Sequence, residues 1–385
     1  MPSPLTRKLV ICFSLTITHF ILFAQAPKFS NEFLNIGVGA RAHGMGGALS
    51  AHVDDVTAMY WNPAGLADVR VSFQVAAMHA EWFAGIGQFD YLALGKPIRF
   101  NNTRAVLGIS AVRFGVDNIP NTLELLDSDG SLNYDNITTF SAADYGITLT
   151  YSQKLFVKGL QIGGNAKVIR RQAGTFAKAW GFGADLGIQY KFKDRWHFGL
   201  TAHNITSTFT AWDFSFTLDE QAVFELTDNV IPASSVEITV PKFTLGTAYL
   251  AKFGKKLTLL TALDLDINTD GQRNVLISSP YFNIDPKLGL EFSYANTVAL
   301  RGGINNIQRV LNDNINSPDK KLIFQPNAGI GLKIPQKSIE EETRYVRLDY
   351  AYTNWGNNAE NLYSHLISLI IDMRVRRLGK RASTK

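Results

Sequence analysis

From about residue 71 onward the chain alternates apolar and polar side chains, segment after segment, and nowhere past residue 26 does it carry eighteen apolar residues in a row. In GFGADLGIQYK, Phe182, Ala184, Leu186, Ile188 and Tyr190 share one face, and Gly183, Asp185, Gly187 and Gln189 the other. LTLLTALDLDI sets Leu257, Leu259, Leu263, Leu265 and Ile267 against Thr258, Asp264 and Asp266. YVRLDYAY opposes Val346, Leu348, Tyr350 and Tyr352 to Arg347 and Asp349, and LGLEFSY opposes Leu288, Leu290, Phe292 and Tyr294 to Gly289, Glu291 and Ser293. A period of two with one apolar face is the mark of a strand. Without a long apolar run no helix spans a bilayer, so the chain is either a soluble sandwich or a closed β-barrel in a membrane.

Three features select the barrel. The polar face is rich in Gly, Thr and Ser with scattered charges, as a lumen lining would be. Aromatics recur near segment ends (Tyr151, Tyr190, Trp196, Phe243, Tyr294, Tyr352), where a girdle would meet the bilayer interface. Finally, short connections such as SQKLFVKG, YKFKDRW, AKFGKK and YANTVA alternate with long ones, roughly 115–143, 204–241, 268–286 and 305–326. Outer-membrane barrels alternate in this way, with short periplasmic turns and long outer loops; a sandwich has no reason to.

The expected fold is therefore all-β: a transmembrane outer-membrane β-barrel of about fourteen antiparallel strands of roughly 9–12 residues each. They begin near Val71, Gln88, Arg104, Tyr145, Leu160, Trp180, Arg195, Lys242, Leu257, Lys287, Val298, Asn327, Tyr345 and Leu362. The barrel is assigned to 71–375, followed by a basic periplasmic tail over 376–385, within RVRRLGKRASTK.

Residues 1–26 read as a signal peptide: Arg7 and Lys8, then the apolar LVICFSLTITHFILF, then the small-residue cleavage site AQA. The single cysteine, Cys12, lies inside that segment. The mature chain then contains no thiol, which excludes a disulfide scaffold, a thiol enzyme or a cysteine-bound metal.

Residues 27–70 precede the first strand and are rich in small side chains. The expectation is an N-terminal plug or hatch folded back into the lumen. Asp54 or Asp55 would cap a short helix that ends at Pro63, and Asn-Pro-Ala-Gly (Asn62, Pro63, Ala64, Gly65) would turn the chain into strand one. Trp61 completes the motif.

GVGARAHGMGGALSAHVDDVTAMYWNPAGLADV resembles the N-terminal signature of the PorV/PorQ family of Bacteroidota-type bacteria, and NPAGL is similar to the hatch region of the FadL-like fatty-acid transporters. Both are families of fourteen-stranded outer-membrane barrels; YANTVALRGGIN adds a further similar phrase. The first resemblance implies a role in type IX secretion, with the barrel docking translocon components or the C-terminal signal domains of secreted cargo. Contacts would come from the long loops, with Trp212, Phe214, Phe216 and Phe224 as candidates. The second implies a transporter of hydrophobic small molecules such as fatty acids. It would favour a strand kink at Gly163-Gly164 or Gly302-Gly303.

Catalytic signals are weak. GVGARAHGMGG is not set between a strand and a helix as nucleotide binding requires, and the seven histidines show no His-x-x-x-His spacing. No enzyme, cofactor, metal or nucleic-acid partner is expected. The partners expected are outer-membrane lipid and lipopolysaccharide, together with translocon or cargo, or a hydrophobic ligand. Asp90, Lys167, Asp185, Asp264, Glu291, Arg301, Arg347 and Asp349 are expected to line the lumen, chiefly to pair with one another and with the plug. His197 and His203 would share that face.

Overall fold

A computed structural model of the protein describes residues 30–100, 103–125, 127, 131–311, 320–336, 344–354 and 363–373. The expected signal peptide and basic tail lie outside these residues.

Among the described residues, seventeen strands form one sheet. They are β1 Phe73–Trp82, β2 Gly87–Phe100, β3 Thr103–Asn121, β4 Thr138–Lys154, β5 Leu160–Ala173, β6 Ala177–Phe192, β7 Trp196–His203, β8 Thr208–Phe214, β9 Ser235–Thr239, β10 Lys242–Phe253, β11 Leu257–Asn268, β12 Ile277–Ser278, β13 Asn283–Tyr294, β14 Val298–Leu311, β15 Lys320–Gln336, β16 Arg344–Asn354 and β17 Tyr363–Met373. Fourteen of them close a ring. β1 pairs antiparallel with both β2 and β17, β7 pairs directly with β10, and β11 with β13. The other three are additions at one rim: β8 pairs with the upper part of β6, β9 with β8, and β12 with β13. Much of what reads as long loop is thus strand continuing beyond the ring, as in β3, which runs to Asn121.

The ring explains the alternation. Phe182, Leu186, Ile188, Leu288, Leu290 and Phe292 point outward and are exposed, as are Leu92, Leu149, Ile330 and Leu348 around the same surface. A soluble monomer rarely exposes a contiguous apolar patch above a few hundred Å². A band that encircles the barrel is therefore a lipid-facing surface. Among the described residues no helix is long and apolar enough to cross a membrane. The end carrying short connections such as 193–195, 254–256 and 295–297 is the periplasmic end by the usual disposition of such barrels.

Residues 30–70 pass through the interior of the ring. Two short helices, α1 (Ala40–Gly44) and α2 (Ala58–Trp61), and a 3-10 helix (Pro63–Asp68) are joined by compact turns. Residues Gly37–Ala51 are all buried. Here local sequence and packing agree: the segment is small-residue-rich because the walls leave little room. A Cβ on Gly303 would sit 2.2 Å from the backbone of Met45 and Gly46, and one on Gly163 would sit 2.4 Å from the Pro63 carbonyl. A third helix, α3 (Leu218–Leu226), crowns the long connection between β7 and β10. Its N-terminus carries a capping box in which Thr217 and Glu220 bond reciprocally.

Three expectations are corrected. Asn-Pro-Ala-Gly does not turn the chain into strand. Asn62 is extended and its side chain accepts from Ala64 N, so Asn62 caps, and Pro63 starts, the 3-10 helix; β1 begins only at Phe73. The glycine pairs do not kink their strands: pairing is in continuous register at Gly163-Gly164 and at Gly302-Gly303. Bulges fall instead between Val116 and Ile119 and between Asn305 and Gln308. Asp90 faces outward, because Phe89, Tyr91 and Ala93 take the inward positions of β2. It pairs there with His79 (2.7 Å) and Arg113 (3.4 Å).

Candidate functional site

The interior segment is fixed to the wall by charge. Arg41, the one arginine of α1, forks onto Glu291 of β13 at 2.8 and 3.0 Å and reaches Asp54 at 3.3 Å. Arg301 of β14 bridges Glu291 (2.6 Å) to Asp349 of β16 (2.7 Å). Arg347 lies against both Asp349 and Asp55. Its Nε is 3.1 Å from Asp349 Oδ2, near enough for attraction but without hydrogen-bond alignment. Of the eight lumen residues singled out from the sequence, four (Glu291, Arg301, Arg347, Asp349) thus belong to one network. Asp185 belongs to another: it meets Lys167 at 2.7 Å and Asn165 at 2.9 Å, and Asn165 in turn donates to Met59 O of α2 at 2.8 Å.

The motif residues divide between these contacts and close packing. Asp55 accepts from Thr57 N (2.8 Å) and so closes the turn ahead of α2, which it does not cap. Trp61 Nε1 donates to Val38 O at 2.8 Å. Asn62 donates to Ser50 O (3.0 Å) and to Ile188 O of β6 (3.1 Å). Ser152 donates to Ala64 O at 2.9 Å. Gly65 leaves no room for a side chain, since a Cβ would lie 2.2 Å from Val53 O.

At the periplasmic end, Asp68 is held by Lys154 (2.6 Å) and Lys191. Burial alone would push this carboxyl up; the two ammonium groups outweigh it and hold the group down at about 2. Beside this end lies a polar vestibule of about 760 Å³ lined by Lys252, Lys255, Lys256 and Lys333 together with the Arg41 network.

The sequence reading missed Arg41, although a lone arginine in a glycine- and alanine-rich run must find a partner if buried. It also did not pick out Lys287 and Asp266, which pair at 2.6 Å. Asp264 accepts from Leu49 N (3.0 Å) and Ser50 N (2.8 Å), a contact that spans more than two hundred residues of chain. His197 faces His52 with Nδ1 atoms 3.3 Å apart. His203 lies 3.9 Å from Asp185.

The outer wall carries one further feature. Along β5 the outward positions after Ile162 are Gly164 and Ala166. Between the longer Leu149 and Tyr151 of β4 and Leu186 and Ile188 of β6 they leave a dent. The result is an almost wholly apolar groove of about 990 Å³ facing the lipid. Behind it, the inward faces of the same strand, Gly163 and Asn165, touch Pro63 and Met59. Groove and interior segment are separated by one strand's thickness.

The four aromatics of the long connection do not stand free. Trp212, Phe214 and Phe216 stack in series at 6.0 and 6.3 Å, and Phe224 of α3 closes edge-on at 5.1 Å. The most exposed apolar residues there are Leu218, Leu226 and Val230.

No family model matches the chain, and no curated protein matches it in sequence. Among solved structures, the toluene transporter TbuX of Ralstonia pickettii superposes with a TM-score of 0.51 at 12% identity, over 88% of this chain and 99% of that one. The chain shares the fold of that transporter, a closed fourteen-stranded antiparallel barrel. A Pseudomonas aeruginosa FadL homologue gives 0.48 at 13% identity, over 87% of this chain and 98% of that one. The Pseudomonas putida toluene transporter TodX gives 0.48 at 13% identity, with 87% and 97% covered. At such identities the likeness concerns the fold, with its fourteen-strand ring.

Proposed function

We propose that this barrel carries an apolar small molecule across the outer membrane, and that it holds that molecule at the outer wall rather than on the axis. The observation that carries the reading is the groove on β2–β6. It is large enough for a small ligand, almost purely apolar, and backed by the interior segment at Pro63. The axis is a poor route for such a molecule, because it is filled by a segment fixed with buried charges. In this reading residues 1–26 direct export, 27–70 act as a plug, 71–375 form the barrel and 376–385 a periplasmic tail. The surroundings are outer-membrane lipid and lipopolysaccharide, in a membrane of the Bacteroidota type by the N-terminal resemblance.

The test is uptake of a radiolabelled long-chain fatty acid and of radiolabelled toluene by a Gram-negative host lacking its own transporter for each. Gly164→Phe fills the dent, and the wall has room for it, since a Cβ there makes only ordinary contacts, with the Leu186 side chain at 3.4 Å and the Asp185 carbonyl at 3.5 Å. Uptake above the empty host for one of the two, abolished by this variant, supports the proposal. Uptake equal in wild type and variant sinks it.

A second reading keeps the PorV/PorQ role, docking of type IX translocon or cargo signal domains. It is favoured by the rim: β8, β9 and α3 project past the ring and expose Leu218, Leu226 and Val230. Mild-detergent purification from the native membrane separates the two. Co-purified translocon or signal-domain proteins favour docking, and a lone barrel with bound lipid favours transport.

A further inference from the structure

At the long-connection end of the interior there is a chamber unrelated to the wall groove. It has a volume of about 210 Å³ and lies among β11, β13, β14 and β15. Its lining holds five amides, Asn35, Asn268, Asn305, Asn306 and Gln325, beside six charged side chains, and includes Trp61.

Three buried atoms on this lining have no hydrogen-bond partner among the described residues: Gln325 Oε1, Asp285 Oδ1 and His43 Nε2. Gln325 is only 4% exposed, and its nitrogen is already spent on Thr353 Oγ1 at 2.9 Å. Its oxygen is therefore the half left over. Buried acceptors without donors are rare in native proteins and costly to keep. Gln325 Oε1 can only accept, as does the Asp285 carboxylate while it is ionised, and both then require a donor.

The backbone supports the same conclusion independently. The slip in β14–β15 pairing between Asn305 and Gln308 brings Asn306 into the left-handed region, with φ 50°. A bulge re-aims side chains and is favoured beside binding sites; this one lies at the chamber. The cations on the wall are engaged: Lys287 with Asp266 at 2.6 Å, Lys242 with Asn35 at 3.0 Å and Arg273 with Glu32 at 3.4 Å. Asp285 makes no ion pair among the described residues, so what the lining leaves open is an acceptor.

We infer that this mouth chamber is a binding site for a neutral, hydroxyl-rich ring, the size of a single monosaccharide. Its hydroxyls donate to Gln325 Oε1 and Asp285 Oδ1 and meet the amides of the bulge, while a C–H face lies against Trp61. The volume equals that of about seven waters in the liquid, which one six-membered ring with its hydroxyls can displace. The site stands apart from the apolar groove, so it neither needs nor excludes the transport reading.

The experiment is titration of the full-length barrel in detergent with D-glucose, D-galactose and D-mannose, read by calorimetry and tryptophan fluorescence. The expected result is saturable millimolar binding of at least one sugar. Gln325→Leu should weaken it by about three- to tenfold, the worth of one hydrogen bond. Asn306→Gly keeps the left-handed backbone but removes the amide, and should weaken binding similarly; it decides the matter if Gln325→Leu fails to fold. Absence of saturable binding for all three sugars overturns the inference, as does affinity unchanged by the variants that fold.

Discussion

Glu291→Gln is the substitution that bears hardest on the interior. The Glu291 carboxylate receives both forks of Arg41 and the Nε of Arg301. After substitution Arg301 keeps Asp349, but the carboxylate left within ion-pair distance of Arg41 is Asp54, whose side chain is 44% exposed. An exposed pair is worth about 0–1 kcal/mol, whereas stripping one member from a buried pair costs about 3–5 kcal/mol. If the cost falls on the docked segment alone, its released population rises by roughly two to four powers of ten, at 1.36 kcal/mol for each. Ser50 provides the reporter: it is buried in that segment, and the only native cysteine, Cys12, lies in the expected signal peptide. Ser50→Cys should react slowly with maleimide in the otherwise native barrel and much faster in the Glu291→Gln background. An unchanged labelling rate, with an unchanged unfolding midpoint, would refute the claim that this network holds the segment in place.

The wall makes its own predictions. Gly163→Val should cost at least about 1–3 kcal/mol through overpacking against the Pro63 carbonyl, whereas Gly164→Ala, one residue on but facing out, should cost under about 1 kcal/mol; heat-modifiability on gels ranks the two. The Asp68 latch is pH-dependent with a definite sign. Its carboxyl is lowered from 3.8 to about 2, so the stabilisation, about 2 kcal/mol, is complete above the ordinary value and is lost as pH falls through 2. Unfolding midpoints between pH 5 and 2 should drop less for Asp68→Asn than for the native chain. Thr217→Ala removes the capping box of α3, should cost that helix about 1 kcal/mol, and should quicken proteolysis within 217–227 while leaving the barrel's unfolding unchanged.

Strand parity is a local property, and so it could be read from sequence. Val71 for Phe73, Gln88 for Gly87, Lys242 and Leu257 show how closely the expected strand starts approach the observed ones. Parity alone does not say which face meets lipid where both are apolar. In FDYLAL, Phe89, Tyr91 and Ala93 turn inward to pack on the interior segment, and Asp90 is carried outward with Leu92 and Leu94. Asn62-Pro63 read as a stop because the proline forbids helix before it; it equally favours a helix after it, and only the packing against β4, β5 and β6 shows which prevails. The glycine pairs read as kinks because a missing side chain has the same signature whether the strand bends or another backbone approaches. Arg41 with Glu291, and Leu49 and Ser50 with Asp264, are contacts between residues more than two hundred positions apart, for which no local pattern exists.

The central claim is that an apolar ligand occupies the wall at β2–β6. The direct measurement is photo-cross-linking of the purified barrel with an aliphatic diazirine probe, followed by peptide mapping. The account predicts label concentrated on Leu107, Leu149, Ile162 and Leu186, the flanks of the groove, and lost in Gly164→Phe. Label spread evenly around the apolar belt, Ile330 and Leu348 included, would mean that the groove is ordinary lipid-facing wall, and would contradict it.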